Sequence, residues 1–128
     1  MFFKKPKAIG IWGEEQVIDY LKKKNYQILC HNYYSRYGEI DIIAKKDDIL
    51  AFVEVKTRAK NSISSPAEAV TVAKQKKIYL TALHYLEEYG ADFQPRFDVC
   101  EVYVLTAGKS RIAEINYLEN AFSTENLA

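Results

Sequence analysis

The sequence predicts an α/β (α+β) fold in which a mixed central sheet is flanked by helices. Three observations predict it. Apolar side chains recur at helical spacing over residues 11–24 and again in a long segment that ends before Gly90. Three runs rich in β-branched and aromatic residues lie between these helices, at 26–34, 38–44 and 49–58. Residues 96–105 supply a fourth strand and 111–117 a last one. The order is therefore helix, three strands, helix, and one or two strands.

Length and composition bound the architecture. The chain of 128 residues is long enough for one domain with a modest core. We expect a single domain over residues 1–128, with a tail from about residue 121 that is a candidate for disorder. There is no signal-peptide pattern and no apolar run long enough to span a bilayer, so no membrane partner is expected. Cys30 and Cys100 lie in apolar runs without metal-ligand spacing, which predicts core thiols and a cytoplasmic location.

The first helix separates two neighbouring glutamates by geometry. Its apolar stripe consists of Val17, Ile18 and Leu21. Glu14 falls within that stripe, whereas Glu15 lies on the solvent side. Near a helix start, a carboxylate is also favoured by the macrodipole. Glu14 is therefore a candidate metal ligand, and an N-terminal glutamate with only a stabilising role is the alternative.

The second and third strands form a predicted hairpin that carries charge inside apolar runs. With a tight turn at Asp47-Asp48, opposite residues have numbers that sum to 95, so Asp41 faces Glu54 and Glu39 faces Lys56. Side chains two apart on a strand share a face, so Glu54 and Lys56 point the same way. Burying an unpaired carboxylate is costly, which is why such groups are normally paired or hold a metal.

These residue types suit metal-assisted hydrolysis. Converging carboxylates form an oxygen-rich pocket for a hard cation such as Mg²⁺, so Asp41 and Glu54 are candidate ligands and Glu14 a third. Such an ion activates water and neutralises charge on a phosphate. Lys56, beside the pocket, is suited to stabilise the transition state or to position the water. The alternative is a plain hairpin with a cross-strand ion pair from Glu39 or Asp41 to Lys56.

The distribution of charge is more informative than the net charge of +1. Residues 56–77 carry six basic side chains and one acidic one, whereas residues 78–128 carry three basic and eight acidic. A basic patch beside an acidic pocket suits a phosphodiester backbone, and a solvated helix face with a basic loop is the alternative. Arg36, among Tyr33, Tyr34 and Tyr37, either lines a nucleic-acid groove or belongs to an ordinary strand edge. The candidate nucleic-acid-binding residues are Arg36, Arg58, Lys60, Lys74, Lys76 and Lys77.

The second helix has a clear predicted start and end. Ser65, Pro66 and Glu68 form a capping box, and Gly90 ends the helix. The predicted buried side consists of Val72, Tyr79, Leu83 and Leu86, with Lys76 leaning toward it and Lys74 and Lys77 facing out. Gln75 and Tyr79 are an i,i+4 pair on the buried side, so the Gln75 amide is placed to reach the hairpin's pocket. A helix-flank glutamine bonded to backbone is the alternative.

Three other polar residues receive no catalytic role from the sequence. His31 has no partner histidine at ligand spacing, so it is expected at the surface or in a groove rather than on a metal. His84 is expected on the solvent side of the second helix. Asp98 is interpreted as a structural acid near the start of the fourth strand.

The order of elements and the placement of these charges resemble the PD-(D/E)XK nuclease superfamily. Four segments together look like the YraN-like family of predicted bacterial endonucleases, over about residues 8–118. They are Gly10-x-x-Gly13-Glu14, the run Gly38–Ala44, the run Phe52–Arg58 and Arg96-Phe97-Asp98-Val99. Archaeal Holliday-junction resolvases are similar in the placement of the same residue types. Gln75-x-x-x-Tyr79 also resembles a motif of RecB-type nucleases. Ile40 stands where the superfamily signature has proline.

The resemblance implies a restriction-endonuclease-like αβββαβ core and a site. Glu14, Asp41 and Glu54 would ligate Mg²⁺ or Mn²⁺, Lys56 would assist the water or the transition state, and Glu39 and Gln75 would be auxiliary, with Tyr79 in support. Junction resolvases are dimers, so a homodimer is implied too. We therefore expect a metal-dependent DNA endonuclease acting in repair or recombination. A non-catalytic DNA-binding or scaffold protein, and a purely structural domain with a buried ion-pair network, are the alternatives.

Overall fold

The computed structural model describes residues 8–59, 70–90, 92–125 and 127. They form two helices and five strands. The elements are α1 (Ala8–Lys23), β1 (Gln27–Ser35), β2 (Gly38–Lys46), β3 (Ile49–Ala59), α2 (Val72–Tyr89), β4 (Gln94–Ala107) and β5 (Ser110–Leu118). Neither of these helices is long and apolar enough to cross a lipid bilayer.

The five strands form one sheet in the order β1-β2-β3-β4-β5. Strands β1, β2 and β3 are antiparallel neighbours, β3 and β4 run parallel, and β5 is antiparallel to β4. The connection between the parallel strands contains α2, as expected, because parallel neighbours need a long crossover. The predicted mixed sheet with flanking helices, and the helix–strand order with both later strands, are confirmed.

Each face of the sheet is covered by one helix. On one face Val17 and Leu21 of α1 pack with a cluster that includes Ile42, Val53 and Cys100. On the other face α2 packs on a second cluster, whose members include Phe52, Ile78, Ala82, Tyr85 and Phe97. The Cys100 thiol is fully buried, and Cys30 is partly buried against the second cluster.

The hairpin of β2 and β3 has the predicted register. Its paired residues, from Lys46 with Ile49 to Ile42 with Val53, have numbers that sum to 95. Asp47 takes the left-handed conformation at φ 54°, which aspartate tolerates better than most residues and which closes the two-residue turn. The ladder ends at Ile42 and Val53, however, so the expected direct pairings of Asp41 with Glu54 and of Glu39 with Lys56 do not form.

The second helix differs from its prediction in start and in phase. It begins at Val72, where the Thr71 side chain accepts a hydrogen bond from the Lys74 N–H at 3.2 Å, and residues 65–68 of the predicted capping box lie outside the described residues. Its buried side chains are Ile78, Thr81, Ala82 and Tyr85. Val72 and Leu83, predicted to be buried, are exposed, whereas Tyr79 and Leu86 do pack against the core.

Asp98 anchors the start of β4 and the segment after β5. Its carboxylate accepts hydrogen bonds from the Arg96 guanidinium, from the Tyr117 hydroxyl at 2.6 Å and from the Asn120 N–H at 2.9 Å. These contacts support the interpretation of Asp98 as structural. Beyond β5, the Ala121 N–H donates to the Phe97 carbonyl at 2.7 Å and the Phe122 ring packs on Phe97. The segment expected to be a tail thus packs on the sheet at its first two residues, and the single-domain organisation stays a prediction.

Candidate active site

The centre of the site is the point where β2 and β3 separate. Ile40 belongs to the cluster under α2, whereas Ile42, two residues on, belongs to the cluster under α1. Regular alternation would place both on one face, so it is interrupted at Asp41. The Asp41 Oδ2 atom accepts a hydrogen bond from the Val55 N–H at 2.8 Å, beyond the last paired residues. The carboxylate therefore occupies the opening between the strands.

The neighbouring strand β1 is irregular at the same level. His31 pairs with Ile42 and Tyr33 with Ile40, so Asn32 lies across from Asp41. Asn32 adopts φ 58°, a left-handed conformation that non-glycine residues rarely take within a strand. Backbone strain of this kind is concentrated at functional sites, and here it coincides with the change of face in β2.

Glu54 is the second buried acid of the site. It is 6% exposed, and its Oε1 atom lies 3.7 Å from Lys56 Nζ and 3.9 Å from Lys74 Nζ. Its Oε2 atom is buried and has no hydrogen-bond partner among the described residues. Burial raises the pKa of the Glu54 carboxyl, and the charges of Lys74 and then Lys56 oppose that rise.

Like charges gather around Asp41. Burial raises the pKa of the Asp41 carboxyl well above its usual range, and the charge of Glu54 raises it further. The hydrogen bond from Val55 acts in the opposite direction, and Glu14 and Glu39 add smaller increases. A site that disfavours its own negative charge is one that a cation would stabilise.

Glu14 enters the site from α1. Its side chain is 12% exposed, whereas the neighbouring Glu15 is exposed to solvent, which agrees with the predicted separation of the two. The helix approaches β3 closely at Gly13, since a Cβ atom there would lie 2.0 Å from Thr57 Oγ1. The expected macrodipole contribution is wrong, because α1 begins at Ala8 and the field falls off within the first turn.

His31 holds the Glu14 carboxylate. The two side chains meet with His31 Nε2 2.7 Å from Glu14 Oε1. Sequence reasoning placed His31 at the surface or in a groove and missed this contact. His31 pairs with Ile42, which lies on the α1 face of the sheet. Once the fold is assumed, this pairing places His31 on the same face as Glu14 and could have predicted the contact.

Lys74 is a second residue of the candidate site whose surroundings sequence reasoning misjudged. It was expected to face outward on α2, but its ammonium group lies beside Glu54. The expectation failed because it assumed a helix phase with Val72 and Leu83 inside, whereas both are exposed. Glu54 therefore has two ammonium groups near one oxygen, from β3 and from α2.

Two of the three predicted auxiliary residues make their contacts away from Asp41 and Glu54. The Gln75 Nε2 atom donates to the Val70 carbonyl at 3.0 Å, which is the backbone-bonded alternative. The Tyr79 ring packs toward Phe97, with 6.4 Å between ring centroids, so it contributes to the core. Glu39 lines a groove with Lys74, and its charge raises the pKa of both Asp41 and Glu54.

The predicted nucleic-acid-binding cations fall into three groups. Lys76 and Lys77 are exposed on α2, and Arg36 is exposed in the β1–β2 turn, where its Nη2 atom donates to the Tyr37 hydroxyl at 2.6 Å. Lys74 and Arg58 face acids instead, with Arg58 Nε 3.8 Å from Glu101 Oε2. Lys60 lies outside the described residues.

The donor set determines which metal chemistry the site allows. Across the described parts of the chain, no group of three or more histidine, cysteine, aspartate or glutamate side chains stands close enough together to hold a metal ion. Mg²⁺ is nevertheless usually bound through one or two carboxylates and several waters rather than by a full protein cage. Two adjacent buried carboxylates, one with an unpartnered oxygen, fit that requirement in chemical type.

Comparison with known proteins gives a consistent family. The model of the uncharacterised protein family UPF0102 matches residues 13–102. A UPF0102 protein of Alkaliphilus metalliredigens is 44% identical over 117 residues, which cover 91% of this chain and 98% of the relative. One of Syntrophomonas wolfei has the same identity and coverage, and one of Clostridium perfringens is 42% identical over 118 residues, covering 91% and 94%. The matched region contains Glu14, Asp41, Glu54 and Lys56.

Proposed function

Because the chain belongs to the UPF0102 family, which confirms the resemblance to YraN-like proteins, we propose for it the function that this site supports best, that of a metal-dependent deoxyribonuclease. The substrate is DNA, branched DNA included, and the reaction is hydrolysis of a phosphodiester bond in repair or recombination. A cytoplasmic location and a homodimer are part of the same proposal.

One observation carries the proposal: two buried carboxylates stand together where β2 and β3 separate, with two ammonium groups beside one of them. A purely structural ion pair would satisfy its acid. Here the Glu54 Oε2 atom is left without a hydrogen-bond partner among the described residues. Buried polar atoms are normally satisfied, so an orphaned carboxylate oxygen suggests a site for a ligand that binds oxygen.

Asp41 and Glu54 would hold Mg²⁺ or Mn²⁺, and Glu14, which does not form a close group of three with them, would act through a coordinated water. When bound, such an ion lowers the pKa of a coordinated water and neutralises charge on the phosphate. The hydrogen bond from Val55 fixes the orientation of the Asp41 carboxylate, and His31 fixes that of Glu14. Pre-oriented ligands reduce the reorganisation that binding would otherwise require.

The two lysines have separable roles in this proposal. Lys56, on the strand of Glu54 and on the same face, would stabilise the charge that develops on the phosphate in the transition state. Lys74 comes from α2 and also lines the neighbouring groove, so it would hold the phosphate beside the acids. An electrostatic contribution of either kind is typically worth about 10²–10³ in rate.

The second candidate function is DNA binding without catalysis. It is favoured by the fact that no three acidic, histidine or cysteine side chains of the described residues are gathered closely enough to hold a metal ion. On this account Lys76, Lys77 and Arg36 bind the phosphate backbone, and Asp41 with Glu54, here called the acid pair, only shapes the fold. Salt-sensitive DNA binding without a response to divalent ions would favour it.

The test is cleavage of linear duplex, branched and single-stranded DNA with Mg²⁺ or Mn²⁺. We expect cleavage by the wild type and a loss of at least ~10²-fold with Asp41→Ala or Lys56→Met. Glu14→Ala is expected to reduce the rate, and Glu15→Ala, its exposed neighbour, is the matched control. No cleavage of any substrate, or equal traces of cleavage in wild type and Asp41→Ala, would reject the nuclease and leave the binding function.

A further inference from the structure

A groove beside the acid pair has a composition that the proposed hydrolysis does not use. It has a volume of about 300 Å³ and lies between the β1–β2 turn and the first turns of α2. Its walls include the aromatic rings of Tyr34 and Tyr37, the Glu39 carboxylate and the side chains of Lys74 and Lys77. We call this set the tyrosine groove.

The tyrosine groove lies beside the acid pair. Lys74 is common to both, since it lines the groove and places its Nζ atom 3.9 Å from Glu54 Oε1. Glu39 lines the groove from β2, two residues before Asp41. A ligand in the groove would therefore lie next to the carboxylates.

The groove combines flat rings with positive charge. Tyr34 is 40% exposed, and Lys77 is exposed one helical turn beyond Lys74. The Arg36 guanidinium lies over the Tyr37 ring, with its Cζ atom 4.8 Å from the ring centroid, and adds a third cation at the rim. Aromatic rings that stack bases and cations that bind phosphates are the two components of single-strand binding sites.

The lysines lie at the end of the groove system that is near the carboxylates, and Arg36 lines the part beyond it. Tyr37 is shared with a second groove of about 720 Å³ that continues along α2 past Leu80, Leu83 and Glu87. Lys74 to Glu87 spans roughly 20 Å of helix at a rise of about 1.5 Å per residue. Among the residues that line this path, the lysines are in its first part, so a phosphate group would find most of its positive charge near the carboxylates.

Base pairing decides which DNA fits. In a duplex the faces of the bases are covered by their stacked neighbours, so Tyr34 and Tyr37 have nothing to stack on. We propose that the tyrosine groove binds unpaired nucleotides of a DNA strand, with bases on Tyr34 and Tyr37 and phosphates on Lys74 and Lys77. This rests on the proposed function and gives its substrate as DNA with a single-stranded end, flap or gap next to the cleaved bond.

The test is DNA binding without metal, measured by fluorescence anisotropy in EDTA. The probes are an oligodeoxythymidylate and a mixed-sequence duplex of equal length. The wild type is expected to bind the single strand more tightly than the duplex. Tyr37→Ala is expected to weaken single-strand binding ~10-fold and Tyr34→Ala with Tyr37→Ala ~100-fold, with little change for the duplex.

Two matched controls separate stacking from folding and from general charge. Tyr37→Phe keeps the ring and is expected to keep the affinity. Lys77→Ala is expected to weaken binding and to reduce its salt dependence, whereas Lys23→Ala, an exposed lysine of α1, is expected to change neither. Equal affinity for single strand and duplex, or a double tyrosine variant that melts like the wild type and binds single strand unchanged, would overturn the proposal.

The two proposals fail in different ways. Single-strand preference that depends on the tyrosines, without cleavage of any DNA, would refute the hydrolysis and uphold the groove. Metal-dependent cleavage of fully paired DNA that is indifferent to the tyrosines would refute the groove and uphold the hydrolysis.

Discussion

The Oδ2 atom of Asp41 accepts a hydrogen bond from the Val55 N–H at 2.8 Å, one step beyond the last paired residues of β2 and β3. A side chain therefore takes the place that a backbone carbonyl would hold in a continuing ladder. This bond keeps the carboxylate between the strands, although burial and Glu54 both disfavour its charge. The proposed metal-binding role and the stability of the fold are thus opposed at this residue.

The raised pKa of Asp41 predicts how the free energy of unfolding depends on pH. The pKa of Asp41 is raised in the folded protein above its ordinary value near 3.8. Between that ordinary value and the folded pKa, the folded state therefore binds more protons than the unfolded chain. The contribution of Asp41 to stability is therefore present at low pH and is lost as pH rises through the folded pKa. At pH values above the folded pKa, each unit by which that pKa exceeds its ordinary value lowers the free energy of unfolding by about 1.4 kcal/mol.

Asp41→Asn should remove this loss, because the neutral amide oxygen still accepts the Val55 N–H. We expect the variant to be more stable than the wild type at pH 8 in the absence of divalent ions, and the difference to shrink toward pH 4. Urea unfolding over that range measures it, with Glu15→Gln as the control for loss of an exposed acid. A variant that is less stable at pH 8, or a difference that does not change with pH, would contradict the account.

Lys74 is predicted to control the ionisation of Glu54. Among the charges near that carboxyl, Lys74 lowers its pKa most. Lys74→Met should raise the Glu54 pKa, so that the carboxylate forms only at higher pH, whereas Lys76→Met on the exposed side should leave it unchanged. A ¹³C titration of the side-chain carboxyl measures the shift without any need for activity. Equal titration curves for the two variants would show that Lys74 does not act on the site.

The close approach of α1 to β3 predicts opposite effects for two glycines. Gly13→Ala would place a Cβ atom 2.0 Å from Thr57 Oγ1 and is expected to destabilise the fold by about 1–3 kcal/mol. At Gly10, among the described residues, such a Cβ meets no atom of another segment within 4 Å, so Gly10→Ala should stabilise the helix by up to ~1 kcal/mol.

Combining Gly13→Ala with Thr57→Ala tests whether the contact with Thr57 causes the predicted loss of stability. Thr57→Ala should restore much of the stability that Gly13→Ala removes, because the clashing hydroxyl is absent. Denaturant unfolding of the single and double variants gives the interaction energy directly. Additive effects in this cycle would mean that the two side chains do not limit the approach of the helix.

The Asp98 cluster is predicted to be structural and independent of the acid pair. Asp98→Ala leaves the half-buried Arg96 guanidinium without its carboxylate and should cost about 3–5 kcal/mol. Tyr117→Phe removes one of the hydrogen bonds and should cost ~1 kcal/mol. Thermal unfolding ranks the two, and a smaller loss for Asp98→Ala than for Tyr117→Phe would contradict the network.

The parts of the site that local geometry determines were predictable from the sequence. The two-residue turn at Asp47-Asp48 fixed the register of β2 and β3, and strand periodicity placed Glu54 with Lys56. Helical spacing separated Glu14 from Glu15. Each of these depends on neighbours in the chain, where steric rules leave few choices.

The remaining features depend on contacts between distant segments. The change of face at Asp41 requires β1 and β3 on either side of β2, and the His31–Glu14 contact joins residues 17 apart. The direction of Lys74 followed from the phase of α2, which the assumed burial of Val72 and Leu83 misplaced. No periodicity within one segment contains this information.

Manganese binding and DNA cleavage measured in the same samples test the central claim most directly. Electron paramagnetic resonance reports bound Mn²⁺ for the wild type and for the variant that combines Asp41→Asn with Glu54→Gln. We expect the wild type to bind Mn²⁺ and to cleave DNA over the same range of ion concentration, and the variant to do neither. Equal Mn²⁺ binding by a folded variant, or no binding by the wild type, would contradict a metal site at the acid pair.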